Sequence, residues 1–430
     1  MGAKPGICKK EGELLVKKVL LAGVPKSPNL GDGLIAYTLN RIISMRGKHQ
    51  VIHFDLLDGR CDQSMPIYSA RGGLHYALAG PPRSAAAMHS DSTPTIKLNH
   101  AGSSKKMTPD ALRRLKAYWI HRSRNEKLNR ELKQAVGESE AVFIGGGHLL
   151  IDTYWTFPLA VRRVAEEARR QGKPLHILLV GARGPWSSQA KRWLLGVCRY
   201  AASIAVRDED SRRFLLGLDP KLAVKTVTLA DPALFTPEAF GLTEAAAGRE
   251  KQPGKRMIGL GVMDPHEMNR HCELRWEREA CADWWAHAAK SALGAGHGVS
   301  FFTNGAASDN AFVEEFVKPR LSGLKGVDFT PYPTTVEQLI GTIAACDTVI
   351  AQRLHACIPS LAMGKPTYGL IWDRKLENIF ADLGMKSQLI DYRESRQQLA
   401  AAVDGRMVES GPAIDEKKLQ LYEHIGRILP

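Results

Sequence analysis

At 430 residues the chain exceeds one ordinary domain of about 100–200 residues, and its 44% hydrophobic content is enough to bury real cores. Its seven cysteines (Cys8, Cys61, Cys198, Cys272, Cys281, Cys346 and Cys357) are odd in number, scattered and without a C-x-x-C pair. That pattern supports neither a disulfide framework nor a zinc ribbon and fits a reducing, cytoplasmic setting. The formal net charge of +14 makes anions expected neighbours, but no nucleic-acid-binding motif accompanies it and the aromatics do not punctuate the basic runs, so nucleic acid is not an expected partner.

The opening stretch MGAKPGICKKEGELLVKK lacks the apolar run of a secretory leader, and Gly6 stands where a myristoylation signal wants Ser or Thr. No apolar run approaches the ~18 residues that span a bilayer. The expectation is a soluble cytoplasmic protein whose membrane contact, if it has any, is peripheral and at the inner face.

Strand-like and helix-like segments then alternate, the pattern of α/β units on parallel sheets. Strands are expected at Lys18 to Gly23, Val51 to Leu56, Ala141 to Ile144, Leu175 to Val180, Ile204 to Val206 and Lys225 to Leu229. Leu34, Ile35, Leu39, Ile42 and Ile43 fall on one face of a helix entered through NLGDG. Residues 59–106, rich in Ser, Pro, Gly and Ala, lack periodicity and read as a long insertion. Beyond it, Thr108-Pro109-Asp110 opens a basic helix, LRRLKAYWIHRSRNEKLNRELK. This reads first as a solvated face; a dock for anionic lipid headgroups or a pyrophosphate carrier is the sharper alternative. Thr236 to Lys255 has the composition of a linker. The alternation restarts with MIGLGV, a long helix around Trp284-Trp285, VSFFTNG, a helix from Ser308, another from Thr335 to Ala345, then TVIAQ and PTYGL. The expected fold class is α/β, with two doubly wound, Rossmann-like domains facing a cleft. They span 1–240 and 256–390, and a helical segment at 391–430 packs back over the hinge or the first domain.

Ligands of open parallel sheets bind beyond the carboxyl ends of the strands, and polar or glycine-rich residues gather at seven such ends. They are Asn29 to Gly33 with Asp32, Gly145-Gly146-Gly147-His148, Gly181 to Pro185 with Arg183, Arg207-Asp208, Asp231-Pro232, Asn304-Gly305, and Arg353 to His355. Glycines followed by a helix can cradle a phosphate or carboxylate on backbone N–H groups. Asp208-Glu209-Asp210 imitates a metal-binding D-x-D, but acidic residues opening a helix complement its dipole, so no metal is expected. Asp231-Pro232 reads as a turn or cap, and Ser308 and Asp309 as helix-starting residues. Arg353 and His355 resist such readings, because both follow a buried strand at the positive end of the helix HACIPSLAMG. There an arginine can fork onto a carboxylate or phosphate and an imidazole can exchange a proton near neutral pH.

In chain order, NLGDG, AVFIGGGHLL, IAVRDEDS, LADPALF, FFTNGAASDN and VIAQRLHACIPSLAMGKPTYGLIWDRKLENIFADLG closely resemble the polysaccharide pyruvyl transferases from about Leu20 to Met385, leaving out the insertion. The resemblance implies a glycosyltransferase-B-like fold, no cofactor, phosphoenolpyruvate as donor, and a cyclic pyruvate ketal on a sugar of a cell-surface glycan or its lipid-linked precursor. It assigns catalysis to His355 and Arg353 of the RLH triplet and Arg207 of VRDE. Asn29, Asp32, Gly146, Gly147, His148, Arg183 and Lys375 are the expected substrate-binding residues. The chain departs from the family pattern at Gly33, where an acidic residue is usual, and in GARGP, where GQGIGP is common. Two other functions fit parts of the pattern: a nucleotide-sugar-dependent glycosyltransferase of the same fold, with Asp373 or Glu377 on a ribose, and a non-catalytic glycan- or anion-binding protein.

Overall fold

The computed structural model describes residues 17–27, 29–47, 49–57, 59–62, 125–242, 254–271, 275–393, 396–406 and 411–430. The insertion lies outside these residues except for 59–62, and so does the start of the basic helix, of which Asn125–Glu138 is described. The first sheet is built from β1 (Lys18–Gly23), β2 (Gln50–Asp55), β3 (Cys61–Asp62), β4 (Ala141–Gly145), β6 (Leu175–Val180), β8 (Ser203–Val206) and β9 (Thr226–Thr228). A two-stranded annex pairs β5 (Leu150–Ile151) with β7 (Ala182–Arg183). The strand order is β3-β2-β1-β4-β6-β8-β9, parallel except for β3. Its central strands are apolar runs buried along their whole length, as in β4 and β6, because helices cover both faces of a parallel sheet.

The second sheet holds β10 (Met257–Gly261), β11 (Gly298–Phe302), β12 (Val327–Phe329), β13 (Thr348–Ala351), β14 (Thr367–Leu370) and β15 (Leu389–Ile390). It is parallel throughout, in the order β12-β11-β10-β13-β14-β15. Strand order reverses between β1 and β4 in the first sheet and between β10 and β13 in the second. Loops leaving those neighbours diverge to opposite faces and open a crevice at each point.

The two halves share a hydrophobic cluster. Leu34 and Tyr37 of helix Leu30–Gly47 pack with Val336, Leu339, Ile340, Ala356 and Ile358 of the second half. Two sequence expectations need correcting. Thr236–Phe240 is a helix, not linker: Pro237 suits its first turn, and Phe240 is buried by stacking on Tyr37 with ring centroids 4.6 Å apart. Cys61–Asp62, inside the supposed insertion, adds an antiparallel edge to β2. At the other end of the chain, helix Gly411–Ile428 lays Leu421 and Ile425 against Ile35, Leu39, Ile42 and Ile43 of helix Leu30–Gly47. Among the described residues no helix is long and apolar enough to cross a membrane.

Candidate functional site

At the first switch point, Asn29 caps helix Leu30–Gly47: its Oδ1 accepts from the Gly31 N–H at 3.3 Å while its own N–H donates to Ser27 Oγ. The positive end of an eighteen-residue helix is thereby fixed at the mouth of the crevice. Opposite it, Gly146 and Gly147 adopt φ of +78° and +81°, a region that only glycine enters freely. A side chain on Gly146 would strike Ile35 Cγ2 at 2.5 Å, and Asp32 Oδ1 lies 3.5 Å from where a Cβ of Gly147 would stand. The turn after β4 therefore sits directly on the first turn of the helix, with Asp32 between them. His148 turns the other way and packs its ring on Gly181 at the end of β6.

At the second switch point, the buried Gln352 side chain accepts from the Met263 N–H at 2.8 Å and ties the end of β13 to that of β10. Arg353 follows as the N-cap residue of helix Leu354–Ala362. Its guanidinium forks onto Asp309, with Nε to Oδ2 at 2.7 Å and Nη2 to Oδ1 at 2.9 Å. Asp309 is fully buried; burial pushes its carboxyl up, and Arg353 opposes that shift. It also accepts from the Asp264 N–H, and Asp264 in turn takes a bidentate pair of bonds from Arg278. The fork of Arg353 is thus engaged by protein, which leaves Nη1 and one Nη2 proton for a ligand.

His355, one residue into the same helix, has a non-helical φ/ψ of −83°/15° and is 8% exposed. Its Nε2 lies 3.3 Å from Asp231 Oδ2. Asp231 caps the turn Pro232–Phe235 through Oδ1, as the sequence suggests, and in addition faces His355 across the two halves. Burial raises the Asp231 carboxyl, but His355, Arg207 and the Ala233 N–H together hold it below its ordinary value. An ionised Asp231 requires the proton on Nε2 in this contact, so Nδ1 is left as the atom able to accept one. Nδ1 faces Gly31, where a Cβ would stand only 2.6 Å away.

Arg207, nearly buried at the end of β8, has its Nε 3.8 Å from Asp208 Oδ2. Lys375 stands in the first turn of helix Arg374–Asp382. Burial, then Arg207, with Arg183 adding to both, lowers its pKa to about 8 against the opposing pull of Asp373 and Asp208. Cations from three elements thus act on one another, with Asp208 and Asp373 partly offsetting them, and the balance left for a ligand is positive. Arg183 itself is exposed on β7.

The structure thus brings Asn29, Asp32, Gly146 and Gly147 to the helix start that abuts His355, and couples Arg207, Arg183 and Lys375 electrostatically. His148 stands over β6, and the fork of Arg353 is turned to Asp309. Asp231, Asp264 and Asp309 are the carboxylates whose contacts with the expected site residues sequence reading misses. Asp231 and Asp309 appear in the quoted motifs, but their partners stand 124 and 44 residues away, beyond any local signal. Asp373 caps its own helix through the Leu376 N–H. Among the described residues no group of three or more His, Cys, Asp or Glu side chains is placed to hold a metal.

A model of the family described as polysaccharide pyruvyl transferase matches residues 29–374. No curated protein matches the chain. Among solved structures, UDP-GlcNAc 2-epimerase from Methanocaldococcus jannaschii is 11% identical with a TM-score of 0.50, covering 95% of this chain and 100% of that one. The S. aureus MnaA-UDP co-structure is 9% identical, TM-score 0.48, covering 96% and 91%. A structure described as a UDP-N-acetylglucosamine 2-epimerase of Listeria monocytogenes is 11% identical, TM-score 0.48, covering 96% and 97%. At such identity the likeness is one of fold, and the fold is glycosyltransferase-B-like: two doubly wound α/β domains across a cleft.

Proposed function

Since the chain belongs to the polysaccharide pyruvyl transferase family, we propose that this transferase uses phosphoenolpyruvate to build a cyclic pyruvate ketal on a sugar of a cell-surface polysaccharide or its lipid-linked precursor. It would work in the cytoplasm, at most peripherally bound to the inner face of the membrane. In this reading, lobes 1–240 and 256–390 hold the donor between them and 391–430 braces them. The observation that carries the reading is the mutual electrostatic influence of Arg207, Lys375 and Arg183, with Arg207 acting as well on Asp231 of the His355–Asp231 pair. The cations would take the phosphate, and the remaining N–H groups of Arg353 would take the carboxylate, favoured by the positive end of helix Leu30–Gly47.

Ketal formation adds a proton to C3 of the enol, so that C3 becomes a methyl group and C2 becomes electron-poor. One sugar hydroxyl adds to C2 and releases its proton; phosphate leaves with the C2–O bonding pair and a proton; the second hydroxyl closes the ring and releases its own proton. His355 Nδ1 exchanges a proton with the reacting groups, while Asp231 fixes the ring and stabilises its cationic form. Asp32, in the first turn of the helix, orients an acceptor hydroxyl.

The test is incubation with phosphoenolpyruvate and a panel of lipid-linked or nitrophenyl glycosides, reading phosphate release and product mass, with and without chelator. A product heavier by one ketal, formed undiminished with chelator, is expected. Release of a nucleoside diphosphate from a sugar nucleotide, with no phosphate from phosphoenolpyruvate, would overturn the reading.

A further inference from the structure

Asn304 follows β11 at its carboxyl end. Its backbone carbonyl accepts from the Leu30 N–H at 3.1 Å, which pins it to the start of helix Leu30–Gly47, one residue from the glycine that abuts His355. The residue is 1% exposed, and neither Oδ1 nor Nδ2 has a hydrogen-bond partner. Its neighbours are satisfied without it: Thr303 Oγ1 donates to Asn310 Oδ1 at 2.5 Å and accepts from the Gly305 N–H at 3.2 Å. A Cβ on Gly305, which has φ +86°, would stand 2.7 Å from Pro333 O and 3.1 Å from Leu30 Cδ1, so the turn that carries Asn304 is packed closely against the start of helix Leu30–Gly47. A buried amide that no protein group satisfies costs free energy unless a bound molecule, water or ligand, supplies its bonds.

We propose that Asn304 recognises the sugar acceptor, its carbonyl accepting from one hydroxyl and its NH₂ donating to another as the two lobes part and close around the glycan. This rests on the pyruvyl-transfer reading of the cleft. The amide chemistry favours hydroxyls, which both donate and accept; a donor carboxylate would satisfy only the NH₂ and leave the carbonyl facing negative charge. No expected site residue supplies this pair of bonds.

The test uses Asn304→Leu, which removes both polar ends at similar volume, and Asn304→Asp, which keeps the acceptor alone. Binding of 4-nitrophenyl glycosides of glucose, galactose, mannose and N-acetylglucosamine is read by saturation-transfer NMR without donor, and phosphoenolpyruvate binding by calorimetry. Asn304→Leu should weaken the best-bound glycoside by roughly 10- to 100-fold, Asn304→Asp by less, with donor affinity unchanged. Its melting temperature should hold or rise by about 2–4 °C, since an unpaired buried amide is gone. Unaltered glycoside binding, a lowered melting temperature with binding intact, a loss of donor affinity instead, or no glycoside bound by the wild type would each overturn the proposal. Weakened glycoside binding in a protein whose wild type releases no phosphate from phosphoenolpyruvate would refute pyruvyl transfer and keep Asn304 as a glycan contact.

Discussion

Replacing Gly31 with alanine should slow the chemical step in a protein that still folds. The new Cβ would stand 2.6, 2.8 and 2.9 Å from Nδ1, Cβ and Cγ of His355, against ordinary carbon contacts of about 3.5–4.0 Å. The ring must therefore retreat by about 1 Å, although Asp231 stands behind it at 3.3 Å and the flanking Ala356 and Cys357 are buried. Overpacking of this kind costs about 1–3 kcal/mol, offset by up to about 1 kcal/mol from alanine's better helix propensity. A proton-transfer group displaced by that distance loses on the order of 10²-fold in rate. Donor affinity, which we assign to Arg207, Lys375 and Arg183, should change little. The assay is single-turnover phosphate release from phosphoenolpyruvate for Gly31→Ala, His355→Gln and the double variant, with thermal melts alongside. His355→Gln alone should lose ~10²–10⁴-fold, and adding Gly31→Ala should cost little more, because the group it displaces is already gone. Wild-type single-turnover rates in Gly31→Ala, or fully additive losses in the double variant, would refute the placement of Nδ1 in the chemistry.

Three further outcomes are expected. Arg353→Lys keeps the charge but can make only one of the two bonds to Asp309, a loss of about 1.5–3 kcal/mol; a lower denaturant midpoint together with a higher KM for phosphoenolpyruvate is expected, and leaving both unchanged would contradict it. Lys375, lowered to about 8 chiefly by burial, is a cation below that pH and neutral above it. The donor KM should therefore climb as pH passes 8, and Lys375→Arg, charged throughout, should flatten the climb; a level wild-type profile would disprove its contact with the anion. His53 and His176 are lowered to about 4 by burial, whereas the unfolded chain takes up their protons near 6.5. Between those values the unfolded state binds more protons, so stability falls as pH drops from 6.5 towards 4, by up to roughly 3 kcal/mol per histidine. Equal denaturant midpoints at neutral pH and in that window would show the argument to be wrong.

How much of this is legible in the sequence follows from how parallel sheets are built. Strands covered on both faces are continuous apolar runs, such as LHILLV and TVIA, and their carboxyl ends stand out as abrupt polar or glycine positions. That contrast marks Arg207, Arg353, His355 and the Gly146-Gly147 turn within the sequence itself. What a residue at a strand end touches is set by which strands become neighbours and how the two sheets meet, and neither leaves a local trace. Asp309 therefore reads as an ordinary helix start although it holds both arms of Arg353. Thr236–Phe240 reads as linker because its reason for being helical is Tyr37, two hundred residues earlier in the chain.

Helix Gly411–Ile428 has a consequence for how the chain is made. Leu421 and Ile425, which join the cluster of Ile35, Leu39, Ile42 and Ile43, are synthesised long after them. Until residues 411–428 are made, the first half packs those earlier side chains against its own sheet, on Val19, Leu21, Val51 and Phe143, but leaves the face that Leu421 and Ile425 cover open to chaperones and to self-association. A nascent polypeptide stalled before residue 411 should therefore be more protease-sensitive along helix Leu30–Gly47 than one extended past residue 428, even with every strand of the first sheet already out of the tunnel.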